Sequence, residues 1–229
     1  MRISLRGTVR NAARRMLDRL AGSSAATTTR EGQQDSDFYD RTFDADDYWR
    51  RHYTEVDHYC CWTVLIDRLR SHRARRLLEI GCGTGQLAGA LRDARILDAY
   101  CGFDFSEHRL SHARTVCPEW RFEIADAFKT DLFDTFDYDA ALSTEFLEHV
   151  EGDLDVLARL RGGTFFVGTV PNYAFVSHVR HFASPGDVAE RYAPLLDRID
   201  VVPIRLNVGG KTLYILEGVR NAHQLRREA

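Results

Sequence analysis

No stretch of the sequence approaches the roughly 20 consecutive apolar residues that span a bilayer. The amino terminus has no apolar signal core, because Ser4, Arg6, Gly7, Arg10 and Asn11 interrupt it. A membrane-spanning or secreted chain is therefore not expected, and the expected location is the cytoplasm. Basic charge is not in excess: 31 Lys+Arg stand against 34 Asp+Glu, for a formal net charge of -3. A dedicated nucleic-acid binder usually carries a basic surplus. The five cysteines are odd in number, include no C-x-x-C pair and fit no zinc spacing. They read as buried thiols in a reducing compartment. There is no internal repeat. What is present is ordinary: 229 residues, 44% hydrophobic and 28% charged, enough for one domain with an extension.

Along the chain, residues 1–30 hold seven arginines and one acid, a local charge of +6. Val9, Ala13, Met16, Leu17 and Leu20 fall at helical spacing, which predicts a short basic amphipathic helix over 8–21. Such a helix suits a partner or an acidic membrane surface, resembles a transit peptide, or is simply a terminal helix that frays. The small polar run 22–29 reads as a linker. From Asp35 to Asp57 eight acids face three arginines, interleaved with Phe38, Tyr39, Phe43, Tyr48, Trp49 and Tyr53. Two helices are expected here, at 44–56 and 58–71, forming a cover in which Tyr48, His52 and Tyr53 are the residues to watch.

Beyond residue 75 strands and helices alternate. Strands are expected at 76–80, 100–105, 120–124, 138–143 and 164–170, and helices at 86–94, 106–116, 153–161 and 185–196. Repeated βα units imply a parallel sheet covered on both faces. Two final strands, 200–206 and 211–218, have no helix between them and so suggest an antiparallel pair at one edge. The expected domains are 1–34 (basic segment and linker), 35–74 (helical cover) and 75–229 (core).

Glu79-Ile-Gly81-Cys82-Gly83-Thr-Gly85 lies where the first strand runs into a helix, a place where glycines let a ligand approach the backbone. Asp104 ends the next strand, 19 residues past Gly85, where an acid can accept ribose hydroxyls. Asp126 and Ala127 follow the third strand, where an acid can receive an adenine amino group. The dinucleotide fingerprint G-x-G-x-x-G is not met. Glu79, two residues before the first glycine, disfavours a pyrophosphate and suits an ammonium group. These residues imply an adenosine with a cationic amino-acid tail rather than a nicotinamide cofactor.

With the segments 77–85, Gly102-Phe-Asp-Phe-Ser106, Ala125-Asp-Ala127 and Thr144-Glu-Phe-Leu-Glu-His-Val150, the sequence resembles the class I S-adenosylmethionine-dependent methyltransferases over about residues 75–219. The resemblance implies an α/β fold, a doubly wound, mostly parallel seven-stranded sheet of Rossmann-like type under an N-terminal helical cover. It also implies S-adenosylmethionine as cofactor. By that resemblance Glu79, Gly81, Cys82 and Gly83 would meet the methionine tail and ribose. Asp104 would hold the ribose, Phe105 would flank the adenine, and Asp126 and Ala127 would bind its edge.

On the acceptor side, Glu145, Glu148 and His149 would share one face of a helix at i, i+3 and i+4. His178 and His181 follow the fifth strand. These carboxylates and imidazoles form a candidate set for a divalent metal (Mg, Mn or Zn), which would bind a hydroxyl pair and lower its pKa. The Glu-x-x-Glu-His run is similar to that of ubiquinone-biosynthesis O-methyltransferases and small-RNA 2'-O-methyltransferases. Alternatively His149 is a general base with Glu145 beside it, or the set is structural. Tyr173, Phe175 and Phe182 form a lid or plug the core, and Arg180 meets a substrate acid or a nearby carboxylate. The expected activity is methyl transfer to a small-molecule hydroxyl. The rivals are RNA-end 2'-O-methylation, with Arg-rich residues 1–30 supplying phosphate contacts, and a non-catalytic cofactor-binding module. The acceptor and the oligomeric state are left open.

Overall fold

Leu77, Leu78 and Ile80 lose all their solvent contact, as does Val167 on a neighbouring strand. Such continuous apolar runs are what a sheet buried on both faces requires. The computed structural model describes residues 32–207 and 209–222. The basic helix expected at 8–21 lies outside them. Five strands run parallel: β1 (Arg76–Ile80), β2 (Ala99–Asp104), β3 (Arg121–Ile124), β4 (Ala140–Ser143) and β5 (Phe165–Pro171). β6 (Leu196–Arg205) and β7 (Thr212–Arg220) close one edge antiparallel to their neighbours. The seven strands stand in the order β3-β2-β1-β4-β5-β7-β6. This is the doubly wound sheet expected, and it changes direction between β1 and β4, where a crevice opens at the strands' carboxyl ends.

Helices α1 (Ser36–Ala45), α2 (Tyr59–Ser71), α3 (Gln86–Ala94), α4 (Glu107–Val116), α5 (Leu132–Thr135), α6 (Asp153–Ala158) and α7 (Pro185–Tyr192) cover the sheet. One apolar cluster joins Leu65 and Leu69 of α2, Leu91 of α3 and Leu110 of α4 to Leu77 of β1. Another joins Phe133 of α5, Val156 of α6 and Tyr192 of α7 to Leu78 and Ile80 on the opposite face.

The cover differs from expectation. In place of a helix over 44–56 the chain forms α1 earlier, then two 3₁₀ turns at Asp47–Arg50 and Tyr53–Glu55. Capping is the cause. Asp35 accepts the Phe38 N–H at 3.0 Å and starts α1, while Asp46 adopts an extended conformation and accepts the Tyr48 N–H at 2.9 Å, ending one helix and starting the next turn. β6 starts at Leu196, four residues before the expected strand, and so shortens the preceding helix. α5 was not foreseen. Among the described residues no helix is long and apolar enough to cross a membrane.

Candidate active site

A cavity of about 900 Å³ lies over the switch point, walled by the glycine loop, the ends of β2 to β5 and the cover. Its first half is built around Asp104. One oxygen accepts the Gly83 N–H at 3.0 Å and the other accepts the Ser106 N–H at 3.0 Å. The carboxylate thus ties the glycine loop to the start of α4. Gly81 and Gly83 sit at φ +72° and +53°, a region that favours glycine. A Cβ on Gly81 would stand 2.6 Å from the Phe146 ring, whereas the corresponding place on Gly83 is open space. The N–H groups of Gly81 and Cys82 both go to the Phe103 carbonyl, at 2.9 and 3.1 Å. Cys82 is a buried wall residue, its thiol held protonated by burial first and by the charge of Asp104 second.

Glu79 is 1% exposed. Tyr100 Oη donates to its Oε2 at 2.5 Å. Burial pushes the Glu79 carboxyl up to about 8; Asp104 adds to the rise and the Tyr100 hydrogen bond opposes it. Phe105 and Phe128, both on the cavity wall, keep 41% and 40% of their surface exposed. Between them, Asp126 accepts the Phe128 N–H at 2.9 Å and pairs with Lys129 at 2.9 Å, and Ala127 is buried.

The second half holds the acceptor-side residues. No helix follows β4 directly. Glu145 takes a left-handed conformation at φ +51°, and a single 3₁₀ turn, Leu147–His149, comes after it. The left-handed step breaks the helical spacing, yet the Glu145 side chain stays beside Glu148 and within reach of the His149 and His178 charges. The Glu145 N–H goes to Thr169 Oγ1 at 3.2 Å, and its Oε2 stands 3.8 Å from Nε2 of His58. His58 in turn meets the Tyr48 hydroxyl through Nδ1 at 2.9 Å.

Glu148, His149 and His178 are brought together, with one ligand atom from each within 4.8 Å of the others. Glu148 is 0% exposed, and among the described residues neither carboxylate oxygen has a hydrogen-bond partner. Nδ1 of His149 lies 2.9 Å from the Ser177 carbonyl, and Nδ1 of His178 lies 3.1 Å from the Tyr173 carbonyl. A carbonyl only accepts, so in both rings Nδ1 carries the hydrogen and Nε2 keeps its lone pair. Burial and the Glu145 charge hold the Glu148 carboxyl well above its ordinary range. Burial lowers His149 to about 4, with His178 adding to the effect. Burial works to raise Glu145, but His58, His149 and His178 together hold it low. His181 is exposed and stands outside the cluster. Of the five residues expected to form a metal set, three converge and two do not.

Arg180 meets no open space for a substrate acid. It donates to the carbonyls of Leu147, Val150 and Glu151 and lies 3.3 Å from the buried carboxylate of Asp153. The three loop aromatics part company: Phe182 is buried, whereas Tyr173 and the more exposed Phe175 both line the cavity, with Lys211 Nζ 4.1 Å from the Tyr173 ring centroid. Of the cover residues, Tyr48 lines the cavity, while Tyr53 donates to Asp93 at 2.7 Å and stacks with His52 away from it. Sequence reasoning missed His58, Trp62 and Arg109, all on the cavity wall. No motif marks them; the one available signal is the cluster of aromatic and cysteine residues at the start of α2.

Residues 78–163 match the family model described as a methyltransferase domain. No curated protein sequence matches the chain. Among solved structures, the N-methyltransferase NodS of Bradyrhizobium japonicum, in complex with S-adenosylhomocysteine, is similar at 17% identity and TM-score 0.64, over 80% of this chain and 97% of that one. The 1,6-didemethyltoxoflavin-N1-methyltransferase of Burkholderia thailandensis, with its substrate and S-adenosylhomocysteine bound, is 19% identical with TM-score 0.63, over 81% and 86%. The magnesium protoporphyrin IX methyltransferase of Synechocystis, with bound S-adenosylmethionine, is 18% identical with TM-score 0.62, over 86% and 100%. The match over residues 78–163 is to a methyltransferase domain, and the fold of the chain is that of the class I S-adenosylmethionine-dependent methyltransferases.

Proposed function

We propose that the chain methylates a hydroxyl of a small-molecule acceptor in the cytoplasm, and that Glu148, His149 and His178 hold a divalent ion beside that hydroxyl. The observation that carries this reading is the Glu148 carboxyl, fully buried and partnerless among the described residues, facing two imidazoles whose Nε2 lone pairs are free by tautomer. A buried carboxyl without partners is costly unless something pairs with it. Two nitrogens and a carboxylate suit Mn²⁺ or Zn²⁺, and Mg²⁺ through its waters. When bound, such an ion supplies Lewis acidity to a coordinated hydroxyl.

The cofactor half supports S-adenosylmethionine. Asp104 retains lone pairs for ribose hydroxyls beyond the two N–H groups it accepts. Glu79 offers a carboxylate to an ammonium, the exposed rings of Phe105 and Phe128 on the cavity wall suit a flat base, and open space above Gly83 admits the tail. The sulfonium methyl is already electrophilic, so the protein's task is alignment and exclusion of water. All five cysteines are free thiols, four buried as expected and Cys60 exposed, which suits a reducing cytoplasm.

The test is transfer of labelled methyl from S-adenosylmethionine to pooled phenols, catechols, sugars and amines, after chelation and again with each metal restored. Label on a hydroxyl, dependent on metal, is expected. Label on amines alone, or full activity in chelator, would overturn the O-methyl or the metal assignment respectively.

A further inference from the structure

Beside the Glu148 cluster, and joined to it through Glu145, three polar groups from three separate segments stand in series on the cavity wall. Tyr48 comes from the first 3₁₀ turn of the cover, His58 from the start of α2, and Glu145 from the loop after β4, and all three line the cavity. The spacing along the line is 2.9 Å from Tyr48 Oη to His58 Nδ1, then 3.8 Å from His58 Nε2 to Glu145 Oε2. Trp62 of α2 stacks on the far side of the imidazole, with ring centroids 6.1 Å apart.

Two features set this line apart from ordinary packing. His58 Nε2 is buried with no hydrogen-bond partner among the described residues, although a carboxylate stands just beyond bonding distance. A histidine kept only for structure has its second nitrogen bonded or wet. Glu145 reaches its place only through a left-handed backbone, which costs a non-glycine residue about 1 kcal/mol or more. Strain of this kind persists where the surroundings demand the side chain's position.

We propose that Tyr48 and His58 form the proton relay that receives the acceptor's hydroxyl proton, with Glu145 as the positioning carboxylate behind the imidazole. The proposal rests on the methyl-transfer reading of the cavity. The Glu145 charge favours a hydrogen on Nε2, which leaves Nδ1 to accept from Tyr48. As the acceptor oxygen's lone pair forms the new bond to carbon, the S–CH₃ bond breaks with its electron pair left on sulfur. The hydroxyl proton passes to Tyr48 Oη, and the Tyr48 proton passes to Nδ1. One positive charge disappears from the sulfonium and one appears on the imidazolium, where Glu145 faces it. His149 is less suited to this task, since it groups with Glu148 and His178 in the candidate metal set.

The test uses the full chain with S-adenosylhomocysteine and 4-nitrophenol as the hydroxyl probe, at a pH where the free compound is neutral. Absorbance reports whether the bound phenol has given up its proton. The wild type is expected to show the nitrophenolate band. His58→Gln, Tyr48→Phe and Glu145→Gln are expected to lower it about tenfold, the change of one pKa unit, while melting temperature and S-adenosylhomocysteine binding stay near wild type. No band in the wild type, or an undiminished band in His58→Gln, overturns the relay. In ¹⁵N-histidine-labelled protein, a hydrogen on Nδ1 of neutral His58 overturns it independently of any probe. Absence of S-adenosylhomocysteine binding would instead mark failure of the methyl-transfer reading itself.

Discussion

His149 donates its Nδ1 hydrogen to the Ser177 carbonyl at 2.9 Å, and so ties the turn after β4 to the loop after β5. The bond fixes the tautomer and leaves the lone pair of Nε2 free. The Val179 N–H returns to the Glu148 carbonyl at 2.8 Å, and Arg180 binds three carbonyls of the same turn. The cluster is therefore held by backbone on both sides rather than by the carboxyl it surrounds.

The Glu148 carboxyl should accordingly be a burden to the metal-free protein. Glu148→Met removes a buried polar group that lacks partners, and is expected to stabilise chelated protein by about 1–3 kcal/mol. In the wild type, added Mn²⁺ should raise the melting temperature, and in Glu148→Met it should not. A lower melting temperature for chelated Glu148→Met, or an unchanged response to Mn²⁺, would contradict the metal assignment.

The same site gives the ligand-free, metal-free protein a distinctive pH dependence. His149, lowered from 6.5 to about 4, binds fewer protons folded than unfolded, so its contribution to stability rises with pH between those values and is then constant. Glu79, raised from 4.5 to about 8, and Glu148, raised in the same sense, bind more protons folded than unfolded. Their contribution is full below about 4.5 and falls as pH rises. Between 4.5 and 6.5 the two effects oppose each other; above 6.5 the carboxyls alone act. Thermal melts should show stability falling from pH 6.5 to 8, and bound S-adenosylhomocysteine with Mn²⁺ should flatten the fall. A melting temperature that rises over that window would count against the buried carboxyls.

Cofactor binding near pH 7 should release protons. Glu79 is largely protonated in the free protein, and an ammonium group beside it favours the carboxylate. Calorimetry in buffers of different ionisation enthalpy is expected to give release approaching about one proton per site. An observed enthalpy that is the same in every buffer would mean that Glu79 does not meet the ammonium.

Most of the scaffold that carries these groups was legible in the sequence. Continuous apolar strands, the glycine run and acids at strand ends are local patterns, and they are enough to give the parallel sheet, its antiparallel edge and the position of Asp104, while the reversal of strand order came from the resemblance. The acceptor side was not legible in the same way. Helical spacing put Glu145 with Glu148 and His149, and it does stand beside them, but a left-handed residue has no signature when it is not glycine, and its contact with His58 was not legible. His178 and His181 are three residues apart in a loop, and only backbone contacts with Tyr173 decide which one turns inward. In the cover, the helix expected at 58–71 stands, but the one expected at 44–56 does not, because Asp35 and Asp46 carried the capping information that starts a helix earlier and ends it there.

Asp104 has a structural task beside its proposed ligand role, and its removal should show both. Asp104→Ala leaves the Gly83 and Ser106 N–H groups without their acceptor. Each such bond to a charged group is worth about 1.5–3 kcal/mol, and each kcal/mol about 2–4 °C in a protein of this size. The variant should melt several degrees lower and bind S-adenosylhomocysteine at least about tenfold more weakly, given the hydrogen bonds to a carboxylate that are lost. Wild-type affinity in a folded variant would remove Asp104 from the ribose site.

The most direct test of the account is calorimetric titration of S-adenosylhomocysteine into the full wild-type chain. One saturable site per chain, with S-adenosylmethionine competing for it, is the predicted result. No heat of binding in folded protein, or binding that survives closure of the space above Gly83 by Gly83→Val, would contradict it.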